Sequence, residues 1–344
     1  MFPSQNIEVL LQDLRDNKAM ALFLGAGTDM THTYPQNECY DDLRNKATAM
    51  SWDSLLKELI DAACINQSEK KALDDIGSNS RKAAILKNRM GYSYIPVIQN
   101  WLYVRCNHKI LLDSYPYFRN YKENPSVEKL RSVPFGTLFV LADMILRYPP
   151  IKAVFTQNYN NFLTDTIKIL LTEDAQSYPP IRQHMNPVDI HAGWRDEPFD
   201  NDCFFVYHVH GYIPPPSEII PSKENNYITL SDEEFYRLSK DVFSWQNASQ
   251  LHFLTHYTCI LIGLSLDDAT TLRLLHHANL ERSSEKVFWL RGGCDEGDNM
   301  KLKLTAEYFE SQHLCVVNDA NGYQDLYHQL LETLRTKELT TNRK

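Results

Sequence analysis

Residues 151–165 read Ile-Lys-Ala-Val-Phe-Thr-Gln-Asn-Tyr-Asn-Asn-Phe-Leu-Thr-Asp, and the fold turns on how they are read. Ala153, Val154 and Phe155 form the short apolar run of a buried parallel strand. Thr156, Gln157 and Asn158 follow at its carboxyl end, and Asn160 or Asn161 can cap a helix running through Phe162, Leu163 and Ile167. In doubly wound α/β folds ligands bind outside the carboxyl ends of the strands, so these amides stand where a ligand would sit. Polar residues after a strand also serve simply as turn chemistry, and this stretch alone leaves that alternative open.

Three further clusters share the pattern. Leu22-Phe23-Leu24 runs into Gly25-Ala26-Gly27-Thr28-Asp29, and Phe204 to Tyr207 runs through His208 and Val209 into His210-Gly211. Cys259 to Ile262 runs into Gly263-Leu264-Ser265-Leu266-Asp267-Asp268. Four apolar strands ending in glycine, amide, imidazole or carboxylate point to one shared crevice.

The rest of the chain fits an α/β protein built as a Rossmann-like, doubly wound parallel sheet with a helical insertion. Ile7, Leu10, Leu11 and Leu14 have helical spacing. Residues 30–49 are polar and read as a long loop, and Ser51 is the expected N-cap of a helix through about residue 65. Residues 67–130 carry helical periodicity without a convincing strand and form the expected insertion. A helix is predicted over about 133–147, and a strand near 188–192. Ser231-Asp232-Glu233-Glu234 matches a capping box opening a helix toward Trp245. From 258 onward strands at 258–262, 286–290 and 313–317 alternate with helices at 268–281, 301–311 and 321–336, the βαβ rhythm of a parallel sheet. A polar tail is expected at 337–344, and the whole chain of 344 residues is read as one domain.

Composition narrows the function. A hydrophobic fraction of 43% supplies a full core, and a net charge of −9 without a dense Lys/Arg run disfavours direct nucleic-acid binding. No apolar run approaches the ~20 residues that span a bilayer, and the acidic residues Glu8, Asp13 and Asp16 speak against a signal peptide. The seven cysteines are unpaired in sequence, as expected of a reduced cytoplasmic protein; without Cys-x-x-Cys knuckles they cannot build a ribbon-type zinc module.

Gly25-Ala26-Gly27 suits close approach of backbone to a phosphate, with free amides to bind it; a tight structural turn is the alternative. Met30 stands where the dinucleotide fingerprint needs its third glycine, and no glycine precedes a lysine, which excludes the Gly-Lys-Ser/Thr phosphate loop. His210, at a strand end, is either structural or a base. His208 and His210 alternate along a strand and share a face, yet no cysteine or carboxylate pair completes a metal set. His276-His277 reads as a solvated or packed helix face. Ser265 is no nucleophile elbow, because position 267 is Asp, and is read as a ligand-binding hydroxyl or a turn; Asp267 or Asp268 can cap the next helix.

In this order the clusters resemble the sirtuin family, and within it the bacterial branch of NAD-cleaving effectors. The shared marks are Gly-Ala-Gly at 25–27, Thr-Gln-Asn at 156–158, His-Gly at 210–211 and Gly-x-Ser-x-x-Asp at 263–268, with Trp52-x-x-Leu55-Leu56 as a further likeness. The resemblance covers roughly residues 19–290. It implies that Gly25, Ala26, Gly27 and Thr28 line the pyrophosphate of NAD, with Asp29 beside them. Thr156, Gln157, Asn158 and Asn160 would lie at the nicotinamide ribose, and Gly263, Ser265 and Asp268 at the adenosine. Asn158 and His210 would be catalytic. Asn160 stands where the family usually has Asp, Asp29 replaces a small hydroxyl residue, and residues 30–49 replace a short Pro-containing segment.

The missing zinc ribbon disfavours protein deacylation, so the resemblance implies NAD as substrate, hydrolysed to ADP-ribose and nicotinamide, with no zinc. Such effectors deplete NAD in anti-phage defence. They are expected to be cytoplasmic homo-oligomers, and no sensor domain follows residue 336, so regulation would come from a separate partner such as a ring-forming HerA-type ATPase. An NAD-dependent deacylase or ADP-ribosyltransferase, and a non-catalytic scaffold binding NAD or ADP-ribose, are the other classes.

Overall fold

The computed structural model describes residues 3–29, 51–104, 107–190, 202–217, 228–241, 243–266, 269–281, 286–292, 304, 307–308, 314–319 and 323–341. The 30–49 loop, Asp267, Asp268 and most of the expected 301–311 helix lie outside these residues. Among the described residues seven strands form one sheet: β1 (Met20–Leu24), β2 (Ile151–Thr156), β3 (Asn186–Ile190), β4 (Cys203–His208), β5 (Thr258–Ile262), β6 (Val287–Gly292) and β7 (Leu314–Asp319). Their spatial order is β3-β4-β2-β1-β5-β6-β7, and every pairing is parallel.

The apolar strands are continuous runs because both sheet faces are covered. Leu22, Leu24, Val154, Ile260, Ile262, Phe288 and Leu290 point into the larger core. That face is covered by α1 (Pro3–Arg15), α9 (Gly136–Arg147), α10 (Phe162–Asp174) and α15 (Tyr323–Thr341), whose leucines join the same cluster. Ala21, Phe23, Ala153, Phe155, Leu261 and Trp289 point the other way, against Leu254 of α13 (Trp245–His256) and Leu274, Leu275 and Ala278 of α14 (Ala269–Glu281). Phe23, Phe155 and Tyr207 stack across β1, β2 and β4 at centroid spacings of 4.9 and 5.0 Å.

After α2 (Trp52–Ala62), the elements of the 67–130 insertion are helical among the described residues: α3 (Gln67–Asp74), α4 (Asn79–Met90), α5 (Tyr94–Gln99), a π-helical turn (Asn100–Val104), α6 (Asn107–Leu112), α7 (Tyr115–Glu123) and α8 (Val127–Arg131). Ser51 caps α2 by accepting from the Ser54 amide at 3.3 Å. The insertion also braces the loops at the sheet's edge. The Tyr103 hydroxyl donates to the Ile213 carbonyl at 2.7 Å and accepts from the Asn161 amide at 3.3 Å, tying the loops after β2 and β4 together.

Three boundaries differ from the sequence reading. The helix opened by Ser231 is α12 (Asp232–Lys240), and it does not continue toward Trp245; Ser244 caps a separate α13 by accepting from the Asn247 amide. Asn247 fixes that break, since its buried amide donates to the Leu238 and Asp241 carbonyls that end α12. The last helix runs to Thr341, through residues 337–341 of the expected tail. The strand expected near 188–192 lies at 186–190, and a short α11 (Pro180–Gln183) precedes it.

The chain reverses direction across the sheet at β1, which lies between β2 and β5, so the crevice rule places a ligand above the carboxyl end of β1. There the turn after β1 meets the turn after β5 backbone to backbone. A Cβ on Gly25 would lie 2.5 Å from the Gly263 carbonyl oxygen, and one on Gly27 2.8 Å from the Gly263 Cα. Gly263 itself has φ +67°, and its own Cβ would meet the Thr28 amide nitrogen at 2.6 Å. Gly25→Ala is therefore expected to cost ~2 kcal/mol or more through overpacking against rigid backbone. Gly77→Ala, where a Cβ meets nothing within 4 Å, is the control. It is expected to change stability by less than about 1 kcal/mol. Urea unfolding of the two variants checks this.

Candidate functional site

The register brings the four clusters to one level. Leu24 pairs with Thr156 on one side and Ile262 on the other, and Thr156 pairs with His208. The residues that follow each strand therefore leave the sheet side by side and surround a cavity of about 1070 Å³. Ala26, Asp29, Gln157, Asn158, Asn160, His210 and Ser265 line it. Gly25, Gly27, Thr28, Thr156 and Gly263 lie outside its lining, with Thr28 and Thr156 facing a small cavity that shares Asp29, Asn158 and Asn160 with the large one. Asp268 lies outside the described residues.

The glycine turn spends its own amides. Those of Gly25, Gly27, Thr28 and Asp29 donate to the carbonyls of Ile262, Gly263, Gly25 and Ala26 at 2.9–3.1 Å. The expectation that this turn offers a row of free N–H groups to a phosphate is corrected: its glycines serve the contact with Gly263.

Asn158 is held in one orientation. Its Nδ2 donates to the Gly25 carbonyl at 3.3 Å and to Thr28 Oγ1 at 3.1 Å, and its backbone amide donates to Thr156 Oγ1 at 3.1 Å. With the amide nitrogen committed to protein, the side-chain oxygen is the atom left to accept from a ligand. Gln157 is turned toward α14, where its Nε2 donates to Thr271 Oγ1 at 2.9 Å.

The two departures from the family pattern are partners. Asn160 Nδ2 donates to Asp29 Oδ2 at 2.6 Å, while Asn160 Oδ1 accepts from the Phe162 amide at 3.0 Å and so opens α10. The carboxylate that the family pattern has at 160 is here at 29, and an amide faces it. Asp29 is 3% exposed. Burial pushes its carboxyl up to about 6, against the opposing effect of hydrogen bonds from Asn160, Thr28 and Asn158 and of charge on His208.

The histidines divide the work. His208 ends β4 fully buried, with Nδ1 2.9 Å from the Asn158 carbonyl and Nε2 2.9 Å from Asp189 Oδ1; Thr164 Oγ1 also donates to that carboxylate. It fixes the backbone at Asn158. His210 lies past the strand end in the turn that Gly211 completes with φ +95°, so the two do not share a strand face, and His210 alone reaches the cavity. Its ring stands edge-on to Phe235 at 5.3 Å, and its carbonyl accepts from the Thr229 amide at 2.7 Å. His276 and His277 are exposed on α14. Among the described residues no cluster of three or more His, Cys, Asp or Glu has the arrangement of a metal site.

Three features escaped the sequence reading. The Asp189–His208 contact crosses from the edge strand β3 to its neighbour β4. The cavity continues past His210 along α12 and the start of α4, where Ser80 donates to Asp232 and Arg81 pairs with it at 3.3 Å. Arg273 of α14 also lines the cavity; its one available signal was a cation inside the apolar run Leu272 to Leu275.

Asp29 gives the site a pH signature. Its carboxyl is raised from 3.8 to about 6, so the folded protein keeps the proton in a window where the unfolded chain has lost it. Stability therefore falls as pH rises through that window, by ~3 kcal/mol in all, and the loss is complete above it. Asp29→Asn, which carries no ionisable group, is expected to flatten this slope, so that its stability relative to wild type improves as pH is raised. Urea unfolding at a series of pH values reads the slope.

No curated protein matches this chain. Among the described residues no helix is long and apolar enough to cross a membrane. A family model of the SIR2-like domain covers residues 152–317, a span that takes in Asn158, His210, Gly263, Ser265 and Arg273 and leaves the glycine turn outside; SIR2-like domains use NAD.

Proposed function

We propose that this chain hydrolyses NAD to ADP-ribose and nicotinamide. The observation that carries the reading is Asn158, locked by Gly25 and Thr28 with its amide oxygen left for a ligand, on the same cavity as His210. The chemistry suits that pair. Nicotinamide leaves as a neutral molecule from a cationic ring, so the departing group needs no proton. Breaking the glycosidic C–N bond puts positive charge on the ribose, and the oxygen of a water then bonds to that carbon. The Asn158 oxygen accepts a hydrogen bond that orients the ribose or the water. His210, as general base, takes the proton released when the new C–O bond forms. The match of residues 152–317 to the SIR2-like domain supports NAD as the molecule acted upon.

One observation favours a second reading, ADP-ribosyl transfer to an acceptor other than water. The cavity extends beyond His210 to Asp232, Phe235 and Tyr236, which is room for an acceptor group. On the hydrolase reading, the chain acts in the cytoplasm as a homo-oligomeric effector that depletes NAD in anti-phage defence, with a ring-forming HerA-type ATPase as its regulatory partner. A purified oligomer whose turnover rises on adding that ATPase would support this assignment.

The decisive assay is NAD consumption with quantified products. Wild type is expected to release nicotinamide and free ADP-ribose in equal amounts without any acylated peptide. Asn158→Ala is expected to lower turnover about 10²–10³-fold and His210→Ala about 10²–10⁴-fold. Nicotinamide release without free ADP-ribose would establish transfer instead. Wild-type turnover in either variant would remove the role assigned to that residue.

A further inference from the structure

The cavity meets one cation that the protein leaves unanswered. Of the two arginines among its described lining residues, Arg81 is paired with Asp232, whereas Arg273 has its Nε and Nη2 buried without a hydrogen-bond partner. Two guanidinium nitrogens out of water without a partner are costly, and buried polar groups without partners are rare enough to need a cause. Arg273 lies one turn into the thirteen-residue helix α14, which follows the β5 turn, and lines the same cavity as Ala26, Gln157 and Ser265. That is the side of the crevice where the β1 and β5 turns meet. The glycine turn there has already committed four amides within the protein, so it cannot supply the row of N–H donors that an anion at this position needs. A fixed, forked cation is the alternative, and a guanidinium matches two oxygens of a phosphate at once.

We infer that Arg273 holds the diphosphate of the dinucleotide, taking the part that glycine-turn amides play in other nucleotide sites. The inference rests on the reading of this cavity as an NAD site. Its cost falls on the ligand-free protein, which keeps two buried guanidinium nitrogens unpartnered, and its return comes only when an anion arrives.

Calorimetric titration of wild type, Arg273→Lys and Arg273→Met tests this with three probes: ADP-ribose, adenosine and inorganic pyrophosphate. Arg273→Met is expected to weaken ADP-ribose binding by at least about tenfold and to leave adenosine binding unchanged, with Arg273→Lys in between because it keeps the charge and loses the fork. The ligand-free melting temperature of Arg273→Met is expected to equal or exceed that of wild type, since no internal partner is lost. Unchanged ADP-ribose binding in Arg273→Met overturns the inference and leaves the NAD reading standing. A ligand-free melting temperature several degrees lower also overturns it, by showing that Arg273 holds the fold. Pyrophosphate binding that depends on Arg273, in a wild type that binds no ADP-ribose, removes the NAD reading and keeps the anion site. A wild type that binds neither phosphate compound removes both.

Discussion

The backbone contact between Gly25-Gly27 and Gly263 is the constraint on which the site depends. It sits where the chain reverses direction across the sheet, and it lets the turns after β1 and β5 come within van der Waals distance of one another. Three positions must lack a Cβ for this to happen, and one of them must also take a left-handed backbone. The close approach closes the floor of the crevice and takes up the amides of Gly25 and Gly27, while those of Thr28 and Asp29 bond within the turn. The polar groups that line the crevice are therefore side chains: Asn158 and Asn160 after β2, His210 after β4 and Arg273 on α14.

Those side chains are positioned by burial and by partners outside the cavity. His208 and Asp189 hold the Asn158 backbone from beneath, and the Tyr103 hydroxyl holds the neighbouring loops from the side of the insertion. Asp29 and Asn160 show how a charge can move within such a network. In this chain the carboxylate at 29 accepts from the amide at 160 at 2.6 Å, which closes the contact between the ends of β1 and β2. What changes is the location of the ionisable group, which now lies beside the glycine turn, where burial holds its carboxyl at about 6. The charge of that turn therefore changes near pH 6, which a hydroxyl there would not do.

The strands, their ends and their parallel pairing were legible because each is a short apolar run bounded by turn residues, and both sheet faces demand such runs. Ser51 and the Ser231–Glu234 box were legible because a cap is local chemistry. The break between α12 and α13 was not, because it depends on Asn247 reaching back to two carbonyls, and nothing in the intervening residues enforces a stop. That residues after the strand ends would gather at one level could be read from sequence, since the strands pair in register. The fate of the glycine amides could not, because it is decided by Gly263, more than two hundred residues away. Asp29 and Asn160 each looked like a loss when read singly, and only their contact shows that one answers the other.

Two costs in this cavity are of the same kind. A carboxyl that burial drives up to about 6 and a guanidinium with buried, unpartnered nitrogens both lower the stability of the ligand-free fold. Neither is needed to hold the sheet, whose two cores are closed by apolar side chains on each face. Local rules that a sequence breaks without structural return tend to lie at functional sites. Here both breaches border one cavity, at the position that strand topology independently assigns to a ligand. An anionic ligand would relieve the guanidinium directly, whereas ionised Asp29 would repel it. On the inferred anion site the two groups would act in opposition, since an ionised Asp29 repels the anion that Arg273 attracts.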